Sequence, residues 1–198
     1  MDDESARRIL NESEYERFLH KKNKRRQAEF LTTRKGIKEL LGDDTQVSID
    51  YGILGYPIIL GDKLNRQISI SHCKKYAAVA IGSADMMIGI DIEDILDKER
   101  ESLENAISEK EHAFEEMFEN IEHFRLVMWT AKEALSKFLR IGMTADWSIF
   151  EISDVKECFK GYKISFRYFP SLNIYSSKEE KAVYSVICPG INMFEIEE

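Results

Sequence analysis

Asp91 and Glu93 stand two residues apart in Ile88-Gly-Ile-Asp-Ile-Glu93. On an extended strand such a pair shares a face, with the carboxylates about 7 Å apart. Clustered carboxylates are unfavourable unless a cation neutralises them. A few hard oxygens suit Mg²⁺ shared with a substrate phosphate, whereas the plain alternative is an acidic strand edge facing solvent. Gly89 beside them leaves room for a ligand or another backbone to approach. Further on, Glu133 and Lys137 lie four apart in Trp129-Thr-Ala-Lys-Glu-Ala-Leu-Ser-Lys137. Alone, that spacing is an ordinary helix pair adding about 0.2–0.5 kcal/mol. A third feature is His72, which follows the alternating Ile68-Ser-Ile-Ser71 at a strand end. A lone histidine there is either structural or, beside two serines, a ligand for phosphate.

The elements that would position these groups are legible from pattern. No Gly or Pro interrupts Ile121 to Ile141, and Val127, Ala131, Ala134, Phe138 and Ile141 form a stripe at helical spacing. Met128, Leu135 and Leu139 fill much of the remaining circumference, so this helix is predicted to be buried, with Glu133 and Lys137 facing a cleft. Residues 1–16 read as a loose arm or a short helix, and Arg25 to Leu41 as a helix stopped by Gly42. Short strands are predicted at Gln46–Tyr51, Ile58–Leu60, Ile68–Ser71, Tyr76–Ile81 and Met86–Glu93. The last two, across Gly82–Asp85, read as a hairpin, with Ile88, Ile90 and Ile92 inward and Asp91 and Glu93 on the other face. Leu96–Ile107 is a polar connection, and Ser108-Glu-Lys-Glu111 has capping-box form, opening a helix to about Asn120. Strands follow at Trp147–Val155, Tyr162–Tyr168 and Ala182–Ile187, with Pro170–Glu180 read as a connection and the last residues as frayed.

Composition narrows the class. The 198 residues suffice for one core or two small ones, and no apolar run approaches the ~18 residues that would span a membrane. Met-Asp-Asp-Glu-Ser is not a signal peptide. Cys73, Cys158 and Cys188 are scattered and form no CxxC pair, which argues against a disulfide framework or zinc site and for a reducing cytoplasm. The net charge of −8 conceals a separation: Arg17–Lys38 holds nine Lys/Arg against one acid, and Glu93–Glu122 holds twelve acids against three bases. The cluster Lys21-Lys-Asn-Lys-Arg-Arg26 at a helix start can hold phosphate. It also matches nucleic-acid patches or a solvated charge run, although the acidic remainder would repel a long polyanion.

Taken in order and at this spacing, with Asp91 and Glu133 42 residues apart, Ile68–His72, Ile88–Glu93 and Trp129–Lys137 resemble a 4′-phosphopantetheinyl transferase. Ile107-Ser-Glu-Lys-Glu111 is similar to the family's Phe-Ser-x-x-Glu. Arg25–Arg34 before Lys35–Leu41 is similar to the helix of its long, monomeric, surfactin-synthetase-activating-type subgroup. The resemblance implies a mixed α/β (α+β) fold of two similar halves, 1–84 and 85–198, related by a pseudo-twofold with the site between them. It implies transfer of the phosphopantetheine arm of coenzyme A to a serine of an apo acyl or peptidyl carrier protein, releasing 3′,5′-ADP. The implied metal is Mg²⁺ on Asp91, Glu93 and Glu133, with Glu133 also the base. Lys137 and His72 would meet phosphates, Ser71 the ribose phosphate, and Arg25 and Lys21 the 3′-phosphate. A cytoplasmic monomer that binds neither nucleic acid nor membrane completes the expectation. Related sequences often carry Gly-Lys-Pro where this one has Gly55-Tyr-Pro57. The acidic carrier is expected to dock on the less acidic part of the second half and the lip near Lys74–Lys75. The alternative is a non-catalytic module that binds coenzyme A or the carrier on the same fold.

Overall fold

The computed structural model describes residues 3–42, 47–95, 103–179, 181–187 and 189. Gln46, residues 96–102, Cys188 and the C-terminal 190–198 lie outside the described residues. Three helices open the chain: α1 (Asp3–Ile9), α2 (Glu12–Leu19) and α3 (Lys24–Leu41). Asn11 and Glu14 form a reciprocal capping box on α2. The Asn23 side chain accepts from the Arg26 N–H at 3.0 Å to start α3, and Gly42, at φ 78, ends it. Arg34 Nε lies 2.9 Å from Glu14 Oε1, a buried ion pair that ties α3 to α2.

Two antiparallel hairpins follow, β1 (Ser48–Tyr51) with β2 (Pro57–Leu60) and β3 (Gln67–His72) with β4 (Ala77–Gly82). A five-stranded antiparallel sheet then forms in the order β5-β9-β8-β7-β6. Its strands are β5 (Gly89–Asp94), β6 (Ile152–Cys158), β7 (Gly161–Phe166), β8 (Phe169–Glu179) and β9 (Ala182–Ile187). α4 (Ile121–Phe138) packs across β5, β9 and β8. Phe124, Val127, Met128, Ala131, Ala134 and Leu135 on α4 are fully buried and centre the largest core cluster. α3 packs on β4 with a core of its own around Ile37, Ile49 and Ile68.

The structure corrects five expectations. The hairpin is β3–β4, paired from Gln67↔Gly82 to His72↔Ala77, while β5 pairs with β9. Residues 83–88 are too long a link for a tight turn, and alternation marks faces without choosing partners. The inward face of β5 is also reversed: Gly89 and Asp91 are buried, while Ile90 and Ile92 are half-buried. A Cβ on Gly89 would stand 2.2 Å from the Ala134 carbonyl oxygen and 2.9 Å from the Phe138 nitrogen, so the helix backbone lies directly on that face. Residues 170–179 extend β8 rather than forming a connection, because Pro170 falls near the strand start, where a missing donor is tolerated. Finally, the helix expected from Ser108 is a 3-10 helix, Glu111–Met117, and Trp147–Phe150 is another before β6.

Past α4 the chain turns through Arg140 at φ 58. The Arg140 N–H donates to the Lys137 carbonyl at 3.1 Å and the Ile141 N–H to the Ser136 carbonyl at 3.2 Å, a Schellman closure. Glycine normally takes this left-handed position, and a side chain there costs about 1–2 kcal/mol.

Candidate active site

The segment Trp129–Lys137 assigns nearly every side chain a separate contact. The Trp129 ring packs at 5.3 Å on Trp147. Thr130 Oγ1 is 2.7 Å from Ser185 Oγ, and the two buried hydroxyls pin α4 to β9. Lys132 is 1% exposed, with its ammonium donating to Glu111 Oε2 at 2.7 Å and the Ala106 carbonyl at 2.6 Å. Glu111 also accepts the backbone N–H groups of Ser108 and Ile152, each at 2.7 Å. Burial pushes the Lys132 amine below the usual lysine range, opposed by the Glu111 charge. Ala134 sits over Gly89, and Lys137 reaches β5.

That reach makes the centre of the site. Lys137 Nζ and Ser71 Oγ both donate to Asp91 Oδ1, each at 2.7 Å. Asp91 is 3% exposed, and its Oδ2 is buried without a hydrogen-bond partner. A buried carboxylate oxygen left open in this way fits a cation. Glu133, one turn before Lys137, lines the same cleft, with Ser69 and Tyr56 on the facing wall. Glu93, half-buried two residues further along the strand, lies within electrostatic reach of Cys73. Among the described residues no group of three or more His, Cys, Asp or Glu is close enough to hold a metal.

The cleft continues. Gly55, Pro57 and Ile70 border both the section holding Glu133 and Lys137 and a neighbouring section lined by Lys21, Arg26 and His72. Around His72, Arg25 Nε and Arg26 Nη1 donate to Glu29, each at 2.9 Å, and His72 Nε2 lies 3.6 Å from Glu29 Oε2. Burial raises the Glu29 carboxyl's pKa, but the Arg25 and Arg26 hydrogen bonds outweigh it and hold the group below its usual range. The His72 pKa is lowered, first by burial and then by the charges of Arg26, Lys137 and Arg25, with Glu29 opposing. The imidazole is thereby biased toward its neutral form. Lys21 Nζ sits 4.9 Å over the Phe30 ring.

Residues 87–184, which contain the Asp91 strand and the Glu133 helix, match the family model of the 4′-phosphopantetheinyl transferase superfamily. These residues form a domain of that superfamily. No match to an individual curated protein was found. Membership implies transfer of 4′-phosphopantetheine from coenzyme A to carrier proteins, in a superfamily that typically uses Mg²⁺.

Within this transferase the structure brings Asp91, Ser71 and Lys137 into contact and puts Glu133 on the same wall. It sets Lys21 and His72 along the adjoining section and Arg25 behind His72. Ser71 is 6% exposed and gives its hydroxyl to Asp91. The sequence reading passed over Lys132, although its spacing carried a signal. Lys132 falls in line with Met128, Leu135 and Leu139, and a charge on such an apolar line requires a buried partner. Arg140 was also passed over, since backbone handedness leaves no mark in a residue pattern.

Proposed function

We propose that the chain transfers the 4′-phosphopantetheine group of coenzyme A to a serine of an acyl or peptidyl carrier protein, with Mg²⁺, releasing 3′,5′-ADP. One observation carries this: Lys137, on a cleft that runs on to Lys21, Arg26 and His72, is bound to Asp91, whose buried Oδ2 has no hydrogen-bond partner. Asp91, Glu133 and Glu93 are the carboxylates we assign to the metal. Among the described residues they do not stand as a ready-made ligand group, so Glu133 and Glu93 would have to turn toward Asp91 Oδ2. The metal when bound would supply neutralisation of pyrophosphate charge and polarisation of the reacting phosphoryl group.

The chain's own residues do the rest. Lys137, anchored by Asp91, offers its remaining donors to a phosphate oxygen, and Ser71 fixes the carboxylate that anchors it. Glu133 takes the proton of the carrier serine as its oxygen bonds to the phosphorus nearest the pantetheine. The bond from that phosphorus to the bridging oxygen breaks, and 3′,5′-ADP leaves with the electron pair. Lys21 and His72 line the polyphosphate end, and Arg25 lies on the other side of His72, where we assign it to the 3′-phosphate.

The same reading places the chain in the long two-half subgroup. It is supported by α3 on the β3–β4 hairpin in 1–84 and α4 on the large sheet in 85–198. We further infer a cytoplasmic monomer: one chain supplies both cleft walls, and Cys73 and Cys158 are free. Among the described residues no helix is long and apolar enough to cross a membrane.

The test is intact-mass analysis of an acidic apo carrier protein incubated with this protein, coenzyme A and Mg²⁺. Wild type should add one phosphopantetheine, and folded Asp91→Ala should add none. Binding of coenzyme A without a mass gain would make the chain a non-catalytic module, and equal turnover by Asp91→Ala would remove Asp91 from the site.

A further inference from the structure

Arg140 combines three features. Its backbone is left-handed at φ 58, in the position that closes α4 and that glycine fills at lower cost. Its guanidinium is held from the other half of the chain: the Tyr56 ring centroid is 4.7 Å from Cζ, and Nη2 donates to the Gln67 side-chain oxygen. It lines the cleft with Glu133 and Lys137, two residues beyond the end of the helix that carries them. A non-glycine residue in this conformation persists only where the surroundings over-determine it, and such residues gather at ligand sites.

Both partners of the guanidinium are uncharged, so they set its direction without neutralising it. A planar fork held over a ring is well prepared to donate to phosphate. We propose that Arg140 is a further substrate-binding residue, donating to the pyrophosphate of coenzyme A beside Lys137. The left-handed turn is what brings a second cation to the cleft: α4 ends with Lys137 bound to Asp91, and the reversal at Arg140 returns the next basic side chain toward Tyr56. Tyr56 and Gln67 are positioning residues for it. This inference rests on the transferase reading above and deepens it.

The experiment uses Arg140→Gly, which removes the guanidinium and relieves the backbone at once. Coenzyme A and 3′-dephospho-coenzyme A are titrated calorimetrically into wild type and variant in Mg²⁺, and thermal unfolding is recorded on the same preparations. Arg140→Gly should unfold at the wild-type temperature or above it, yet bind both compounds about tenfold or more weakly, the size expected of a lost charge-assisted contact. Arg140→Lys should recover part of the loss, because it keeps the charge without the fork. Affinity within twofold of wild type would overturn the proposal, as would a loss confined to coenzyme A, which would assign Arg140 to the 3′-phosphate. A wild-type protein that binds neither compound would instead defeat the transferase reading itself.

Discussion

Lys132 and Glu133 are neighbours in sequence with separate tasks. Lys132 is sealed against Glu111 and the Ala106 carbonyl, whereas Glu133 faces the cleft. Substituting each should therefore produce opposite phenotypes. Lys132→Met leaves Glu111 buried with an uncompensated charge and should cost about 3–5 kcal/mol in urea unfolding. The residual folded fraction should turn over at a near-normal rate per molecule. Glu133→Gln should leave the melting temperature nearly unchanged and lower kcat by at least about 10², the low end of what a general base contributes. Steady-state kinetics and unfolding on the same two preparations check both. A folded Glu133→Gln protein with near-native kcat would make Glu133 structural. Asp91, Glu133 and Lys137 were singled out beforehand because their segments resemble a family pattern; their spacings alone also fit an acidic strand edge and an ordinary helix pair, and the structure adds the contact of Lys137 with Asp91. The hydroxyl that Ser71 gives to Asp91 was not, since it depends on β3 lying beside β5, a contact between segments 20 residues apart.

At the scale of elements, α3 and α4 matched their predicted spans within a few residues, because caps, stop residues and helical period are local signals. Strand partnership is not local. The alternation around Asp91 was read correctly as strand, yet its hydrophobic face was assigned to the wrong side because Gly89 lacks a side chain to vote with. Gly89 nevertheless sets the helix-to-sheet distance. Gly89→Ala must displace either the Ala134 carbonyl or β5, since its methyl would lie 2.2 Å from that oxygen. Overpacking of this kind costs about 1–3 kcal/mol, and the displacement would also stretch the 2.7 Å Lys137–Asp91 contact. Gly89→Ala should therefore lose stability and activity together, with kcat falling even at temperatures where the protein is fully folded. Full activity in a folded Gly89→Ala protein would show that the site tolerates a wider gap between helix and sheet.

The whole molecule separates its charges, placing bases at the start of α3 while its net charge stays at −8. Arg25 and Arg26 are equally exposed in the Glu29 cluster, and Arg26 still donates to Glu29 when Arg25 is removed. Arg25→Ala should accordingly raise the KM for coenzyme A far more than for 3′-dephospho-coenzyme A, with little change in melting temperature. Equal effects on the two substrates would detach Arg25 from the 3′-phosphate. The two sheets that flank the cleft are separate, and between β3 and β5 the Ile90 N–H donates to Ser69 Oγ at 3.0 Å while Ser71 bonds Asp91. A single amide thus reports on this seam. Its exchange with deuterium is slowed by a hydroxyl that one substitution, Ser69→Ala, removes without touching a strand ladder, so the Ile90 amide is a built-in gauge of how often the halves part.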